Sequence, residues 1–231
     1  MLVHHIQRKI IQQLLYSPSL GYAKLRPAGV ESNHFAYHLD QLVKSGYLTK
    51  NGRDYSLTTQ GLALADRVNH QKVEVRFQPH IVSSIYVQND AGKLLLFKHA
   101  FQPYLGLYGP IQGRLHYDET IAEAAARELQ EKTGLTDVAL LHRGMAYIQA
   151  LHEGETVSKL LAHIFTGTVT GEPGVTTADS KNGQPLWVDS SVLRSEERMP
   201  GFNDIEALLR TNPEALFFTE ITTSLTAIKH T

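Results

Sequence analysis

One stretch constrains the fold of this chain more than any other: GRLHYDETIAEAAARELQEKTGL, residues 113–135. Within it Gly113, Glu119, Arg127, Glu128, Glu131 and Gly134 punctuate an apolar stripe of Ile121, Ala125 and Leu129. The stripe has helical spacing and predicts a helix with one buried face. Glu128 and Glu131 lie three apart and project from one side of that helix. Paired carboxylates are hard oxygen ligands. They suit Mg2+ or Mn2+, which neutralises phosphate oxygens and lowers the pKa of an attacking water. A plainer reading stands beside this one. Glu123 with Arg127 and Glu128 with Lys132 are i,i+4 pairs with the acid first, each worth about 0.3–0.5 kcal/mol on any exposed helix. Helix statistics alone leave both readings open, and the fixed 23-residue frame is what separates them for the fold.

That frame resembles the Nudix box, the signature of the Nudix hydrolase fold: glycine, five residues, glutamate, seven residues, then Arg-Glu-aliphatic-x-Glu-Glu-x-Gly-aliphatic. Gly113, Glu119, Arg127, Glu128, Leu129, Glu131, Gly134 and Leu135 match, and Lys132 does not. The surroundings agree. HIVSSIYVQ and KLLLFKH read as strands around the turn NDAG, and FQPYLGLYGPIQG reads as a Gly/Pro-rich loop. GMAYIQAL, KLLAHIFTGTV and PLWVD, with Trp187, read as further strands, and NDIEALLR as a helix. The resemblance implies an α/β/α sandwich with a mixed sheet over residues 73–231. It also implies Mg2+- or Mn2+-dependent cleavage of a nucleoside diphosphate derivative. Glu128 would be a metal ligand and base, Glu131 a ligand, and Arg127 would pair with Glu119 to hold the loop, with a carbonyl near Gly113 as a further ligand. Phe101, Tyr104 and Tyr108 precede the box; they would either stack on a nucleotide base or pack into the core.

Lys132 stands where the family places a principal metal-binding glutamate. Gln112 and Asp118 stand where it usually has glycines, without changing charge at the metal. An ammonium 4–6 Å from a divalent ion costs roughly 5–8 kcal/mol at an effective dielectric near 20, less if the lysine swings into solvent. Two outcomes stay open: a metal held by Glu128, Glu131, backbone and water, or a metal-free pocket in which Lys132 neutralises both acids and meets a ligand phosphate. Glu153, Glu155, Glu172 and Asp179 are candidates for a replacement acid, and Gln184 occupies a position where one can occur. His99, His116 and His152 are dispersed, with no metal spacing.

Charge divides the chain. Residues 1–72 carry nine Lys/Arg against four Asp/Glu, and residues 73–231 thirteen against nineteen, net +5 and −6. A basic front and an acidic back suggest a multi-domain protein whose parts have different partners. Residues 3–16 predict a helix through Ile6, Ile10, Ile11, Leu14 and Leu15. A short helix follows around 21–26, ended by Pro27, and a third runs over 32–45 with Ser32 as N-cap and Gly46 at its stop. YLTKNGRDYSLT reads as a hairpin around Asn51-Gly52, and TTQGLALADRVNH returns to helix. Residues 68–79 look like the connection between the two parts.

This order, and above all YHLDQLVKSGYL…YSLTTQG, resembles the winged helix-turn-helix family, a mainly α unit with a β-hairpin wing, here covering the domain 1–72. The resemblance implies double-stranded DNA as partner, with the third helix in the major groove and the wing on the backbone. His34, Tyr37, His38, Gln41 and Lys44 share one face of that helix, and Lys50 and Arg53 flank the turn. The third helix has few cations, so a homodimer is expected for affinity. Dimerisation or protein contact is the alternative use of the unit.

With 42% hydrophobic and 19% charged residues the chain reads as globular. It has no cysteine, which excludes disulfides and thiolate sites and fits a cytoplasmic protein. The first sixteen residues carry charges within the apolar pattern and do not read as a signal peptide. No apolar run approaches membrane-spanning length. Two functions are carried forward: a DNA-binding transcriptional regulator whose Nudix domain binds a nucleotide-type ligand with weak or absent hydrolysis, and an active Mg-dependent Nudix hydrolase.

Overall fold

The apolar stripe of the first sixteen residues forms α1 (His5–Leu14), which buries Ile6, Ile10, Ile11 and Leu14. The computed structural model describes residues 4–69, 74–75, 78–177, 181–211 and 215–225, with the backbone alone at 65–69 and 74–75. Two units emerge, residues 1–77 and 78–231. Part of the expected connection over 68–79 lies outside the described residues.

In the first unit, β1 (Leu20–Gly21) and α2 (Tyr22–Leu25) precede α3 (Ser32–Lys44), then β2 (Leu48–Asn51), β3 (Asp54–Leu57) and α4 (Thr59–Arg67). The strands form one antiparallel sheet in the order β1-β3-β2. Phe35, Leu39 and Leu42 of α3 meet the α1 stripe, and Leu25, Leu48 and Tyr55 close the core. Each such side chain contributes about 1.5–3 kcal/mol on burial. Two local expectations are corrected. Glu31, not Ser32, occupies the N-cap of α3, without a side-chain bond; the Ser32 hydroxyl lies 3.0 Å from Tyr22 Oη instead. The hairpin turns on Gly52-Arg53 because Asn51 pairs with Asp54. Gly52, at φ 63°, supplies the positive φ that the first central position of a type II′ turn demands. Short strands β4 (Val68–Asn69) and β5 (Glu74–Val75) pair beyond α4.

The second unit is built on an eight-stranded mixed sheet. Its main path runs β12 (Gly183–Val188), β7 (Leu94–His99), β6 (His80–Asn89), β11 (Glu155–Val169), β10 (Leu141–His152) and β13 (Phe217–Ser224). Off it, β8 (Tyr108–Gly109) pairs with β7, and β9 (Ile111–Arg114) with β6. The contacts β6/β11 and β10/β13 are parallel and the others antiparallel. Alternating residues serve two faces. Ile85, Val87, Leu95 and Phe97 pack on Ala125 and Leu129 of α5 (Ile121–Thr133). Tyr86, Leu94, Leu96 and Ile148 pack on Phe202 and Ile205 of α6 (Phe202–Thr211). A helix on each face of a mixed sheet is the α/β/α arrangement. The segment expected to be a continuous loop before the box contains β8 and β9, and β13 is an additional strand that the sequence reading did not identify. No helix among the described residues is long and apolar enough to cross a membrane.

Candidate functional site

Helix α5 starts where Thr120 Oγ1 accepts from Glu123 N at 3.2 Å and Glu123 Oε2 accepts from Thr120 N at 2.7 Å. This reciprocal cap satisfies two otherwise orphaned donors and fixes the helix register. With Ala125 and Leu129 turned to the core, the adjoining side, on which Glu128 is buried too, carries Arg127, Glu128, Glu131 and Lys132 to a cleft of ≈ 480 Å³. That volume is in the range of small-molecule sites.

Arg127 organises the floor. Its Nε and Nη2 donate to Glu119 at 2.8 and 2.7 Å, its Nη1 to Glu128 at 2.8 Å and Glu131 at 3.2 Å, and its Nη2 also to the Arg114 carbonyl. The Arg127 guanidinium holds the Glu119 carboxyl down at about 2, and the two carboxylates hold Arg127 above its ordinary value. Glu119 also accepts from His116 N at 2.7 Å, which pins the loop to the helix. The expected Arg127–Glu119 pair is thus brought together. Glu128 is buried against the bare backbone of β9: a Cβ on Gly113 would fall 1.7 Å from Glu128 Cδ, so no larger residue fits there.

Lys132 does not swing into solvent. Its ammonium lies 3.1 Å from Glu128 Oε2, donates to the Gln112 carbonyl and stands 5.6 Å from the Phe97 ring centroid. Of the two acids it meets Glu128 and not Glu131, which is the more exposed and is paired with Arg127. Both oxygens of Glu128 and a neighbouring carbonyl are therefore already bound by cations. Glu119, Glu128 and Glu131 against Arg127 and Lys132 leave one net negative charge, where a carboxylate at 132 would leave three. The donor set as arranged does not fit a tightly held divalent ion, which needs free oxygen ligands. None of Glu153, Glu155, Glu172 and Gln184 lines the cleft, and Asp179 lies outside the described residues.

The rest of the wall is aromatic and imidazole. Phe101 and Tyr104 line the cleft. Burial raises the Tyr104 phenol, with Ser158 as its hydrogen-bond partner. Tyr108 does not line the cleft and takes the second of its two expected places: period-two alternation in β8 turns it to the other face, against the core beneath α6, with Lys98 Nζ 5.2 Å from its ring centroid. His99 is a residue that sequence spacing missed. It is buried at the cleft wall, neither ring nitrogen has a hydrogen-bond partner among the described residues, and burial together with the Lys132 charge lowers it to about 4. Its only sequence signal was its place at the end of a strand.

In the first unit Tyr37 and Lys44 of α3 are exposed, Gln41 is half-buried, and Lys50 and Arg53 are exposed at the hairpin. Lys44 is paired with Asp40 at 2.7 Å. His34 is exposed, but His38 is corrected: it is 7% exposed, stacked under His4, and does not share an open face with the others.

The NUDIX domain model matches residues 78–204. Among solved structures, the NUDIX domain of Shewanella oneidensis NrtR complexed with ADP ribose is similar at 15% identity and a TM-score of 0.52, over 68% of this chain and 99% of that one. A MutT protein from Bacillus halodurans is similar at 22% identity and a TM-score of 0.49, over 63% and 90%. A NUDIX hydrolase from Nitrosomonas europaea is similar at 16% and 0.45, over 65% and 83%. In sequence, the chain matches no curated protein.

Proposed function

Because the chain belongs to the NUDIX family through residues 78–204, we propose that it is a DNA-binding transcriptional regulator whose Nudix cleft binds a nucleoside diphosphate-type ligand without efficient hydrolysis. The observation that carries this reading is the Lys132 ammonium seated on Glu128 and the Gln112 carbonyl. Hydrolysis in this fold calls for a divalent ion on those oxygens. A fixed ammonium there supplies positive charge toward a ligand diphosphate but cannot activate a water. The Phe101 and Tyr104 rings on the same wall suit a nucleobase or ribose. ADP-ribose, the molecule bound by the NrtR domain of similar fold, is the ligand to try first.

The DNA half of the reading rests on the first unit, taken as a winged helix over residues 1–72. Its support is the net +5 charge, the exposed Tyr37 and Lys44 of α3 and the exposed Lys50 and Arg53 at the wing. With Lys44 already paired to Asp40, one copy presents little charge to phosphate, and a homodimer on two half-sites supplies the rest. Ligand binding would change DNA affinity only by favouring one of two arrangements.

A second reading, a Mg-dependent hydrolase of a nucleoside diphosphate derivative, is favoured by the intact Glu119, Arg127, Glu128 and Glu131. One experiment separates the two. ADP-ribose is titrated calorimetrically in the presence of chelator, then incubated with the protein and Mg2+ or Mn2+ and recovered. The regulator binds without metal and returns the ligand intact. Turnover that disappears in Glu128→Gln assigns the chain to the hydrolases.

A further inference from the structure

Three imidazoles of the first unit converge at a point that neither its core nor the Nudix cleft uses. His4 is the N-cap of α1, with its Nδ1 accepting from Ile6 N at 3.3 Å. His34 and His38 lie four apart on α3, and their Nε2 atoms are 3.1 Å from each other. The rings of His4 and His38 stack with centroids 3.9 Å apart and planes inclined by 17°. One nitrogen from each of the three lies within 4.8 Å of the others. His38 is buried, and its Nδ1 has no hydrogen-bond partner among the described residues.

Packing alone accounts poorly for this cluster. Burying polar imidazoles costs free energy, and apolar side chains would fill the space without that cost. Two histidines at i and i+4 on a helix present their rings side by side, as helical metal sites do. A tetrahedral ion with metal–nitrogen bonds of 2.0–2.1 Å separates its ligand atoms by about 3.3 Å, close to the 3.1 Å between His34 and His38.

The geometry points to a site for an imidazole-preferring divalent transition-metal ion, Zn2+ foremost, held by His4, His34 and His38. Binding needs no net loss of a proton from neutral rings. The proton shared between the two Nε2 atoms moves to an Nδ1, and both lone pairs turn to the ion. His4 exchanges its long cap bond for a coordinate bond. Three imidazoles leave a fourth position for water. The ion would tie the start of α1 to the first turns of α3, and it would withdraw His34 and His38 from any role toward DNA. The site stands independently of the Nudix reading.

Metal-free full-length protein titrated with Co2+ tests it, because tetrahedral Co2+ absorbs visibly in proportion to occupancy. We expect one equivalent to develop these bands and Zn2+ to displace it. His34→Gln, at an exposed position that does not threaten folding, loses the bands or weakens Co2+ by more than about tenfold, while Glu128→Gln keeps them. No bands in the wild type, or equal bands in wild type and His34→Gln, overturns the site. Bands abolished by Glu128→Gln alone would place the ion in the Nudix cleft and overturn it as well.

Discussion

Lys132 shows how one side chain redirects a site whose other members are unchanged. The ammonium takes up Glu128 Oε2 and the Gln112 carbonyl, and the cleft keeps its shape while its charge moves from one suited to a cation toward one suited to an anion. His99 reports on the same charge. Burial first, and the Lys132 charge second, favour its neutral form and lower it from 6.5 to about 4. Because its folded value lies below the unfolded one, its contribution to stability is complete above about 6.5 and is lost as pH falls toward 4. Two measurements check this. In an NMR titration the His99 ring stays neutral at pH 5.5 while an exposed histidine has largely charged. In His99→Phe the loss of stability between pH 6.5 and 4 becomes shallower. A ring titrating near its ordinary value would contradict the account.

Among the elements, α5 does the positioning, and its start depends on Thr120 and Glu123. Thr120→Ala removes the accepting oxygen of the cap and should cost about 1 kcal/mol in urea unfolding; an unchanged midpoint would mean that the loop, not the cap, fixes the helix. This helix was legible in the sequence because stripe and charged residues lie within one continuous frame, whereas its Thr120 cap was not part of that pattern. The Glu119–Arg127 pair was legible for the same reason. Elements set by distant partners were less so. Strand β13 exists through its parallel pairing with β10, and β9 through its pairing with β6, neither of which local patterning declares. The side of Tyr108 was not legible, because β8 is only two residues long and local patterning does not declare its alternation. His38 shares a helical stripe with polar residues, and the ring of His4, a distant residue at the start of α1, stacks on it.

For the whole molecule, two units of opposite charge carry opposite preferences for cations. The acidic unit has filled its hard-cation seat with an ammonium, and the basic unit has gathered imidazoles suited to a softer ion. Each unit has its own core, so each preference is read locally. Mn2+ distinguishes them, since it binds nitrogen sites most weakly among the first-row divalent ions and favours carboxylate oxygen. The most direct test of the central claim is therefore Mn2+ binding to the full-length chain, followed by electron paramagnetic resonance, in wild type and Lys132→Glu. The account predicts that wild type leaves the added Mn2+ free and that Lys132→Glu binds one equivalent. One equivalent bound by wild type and released in Glu128→Gln would contradict it.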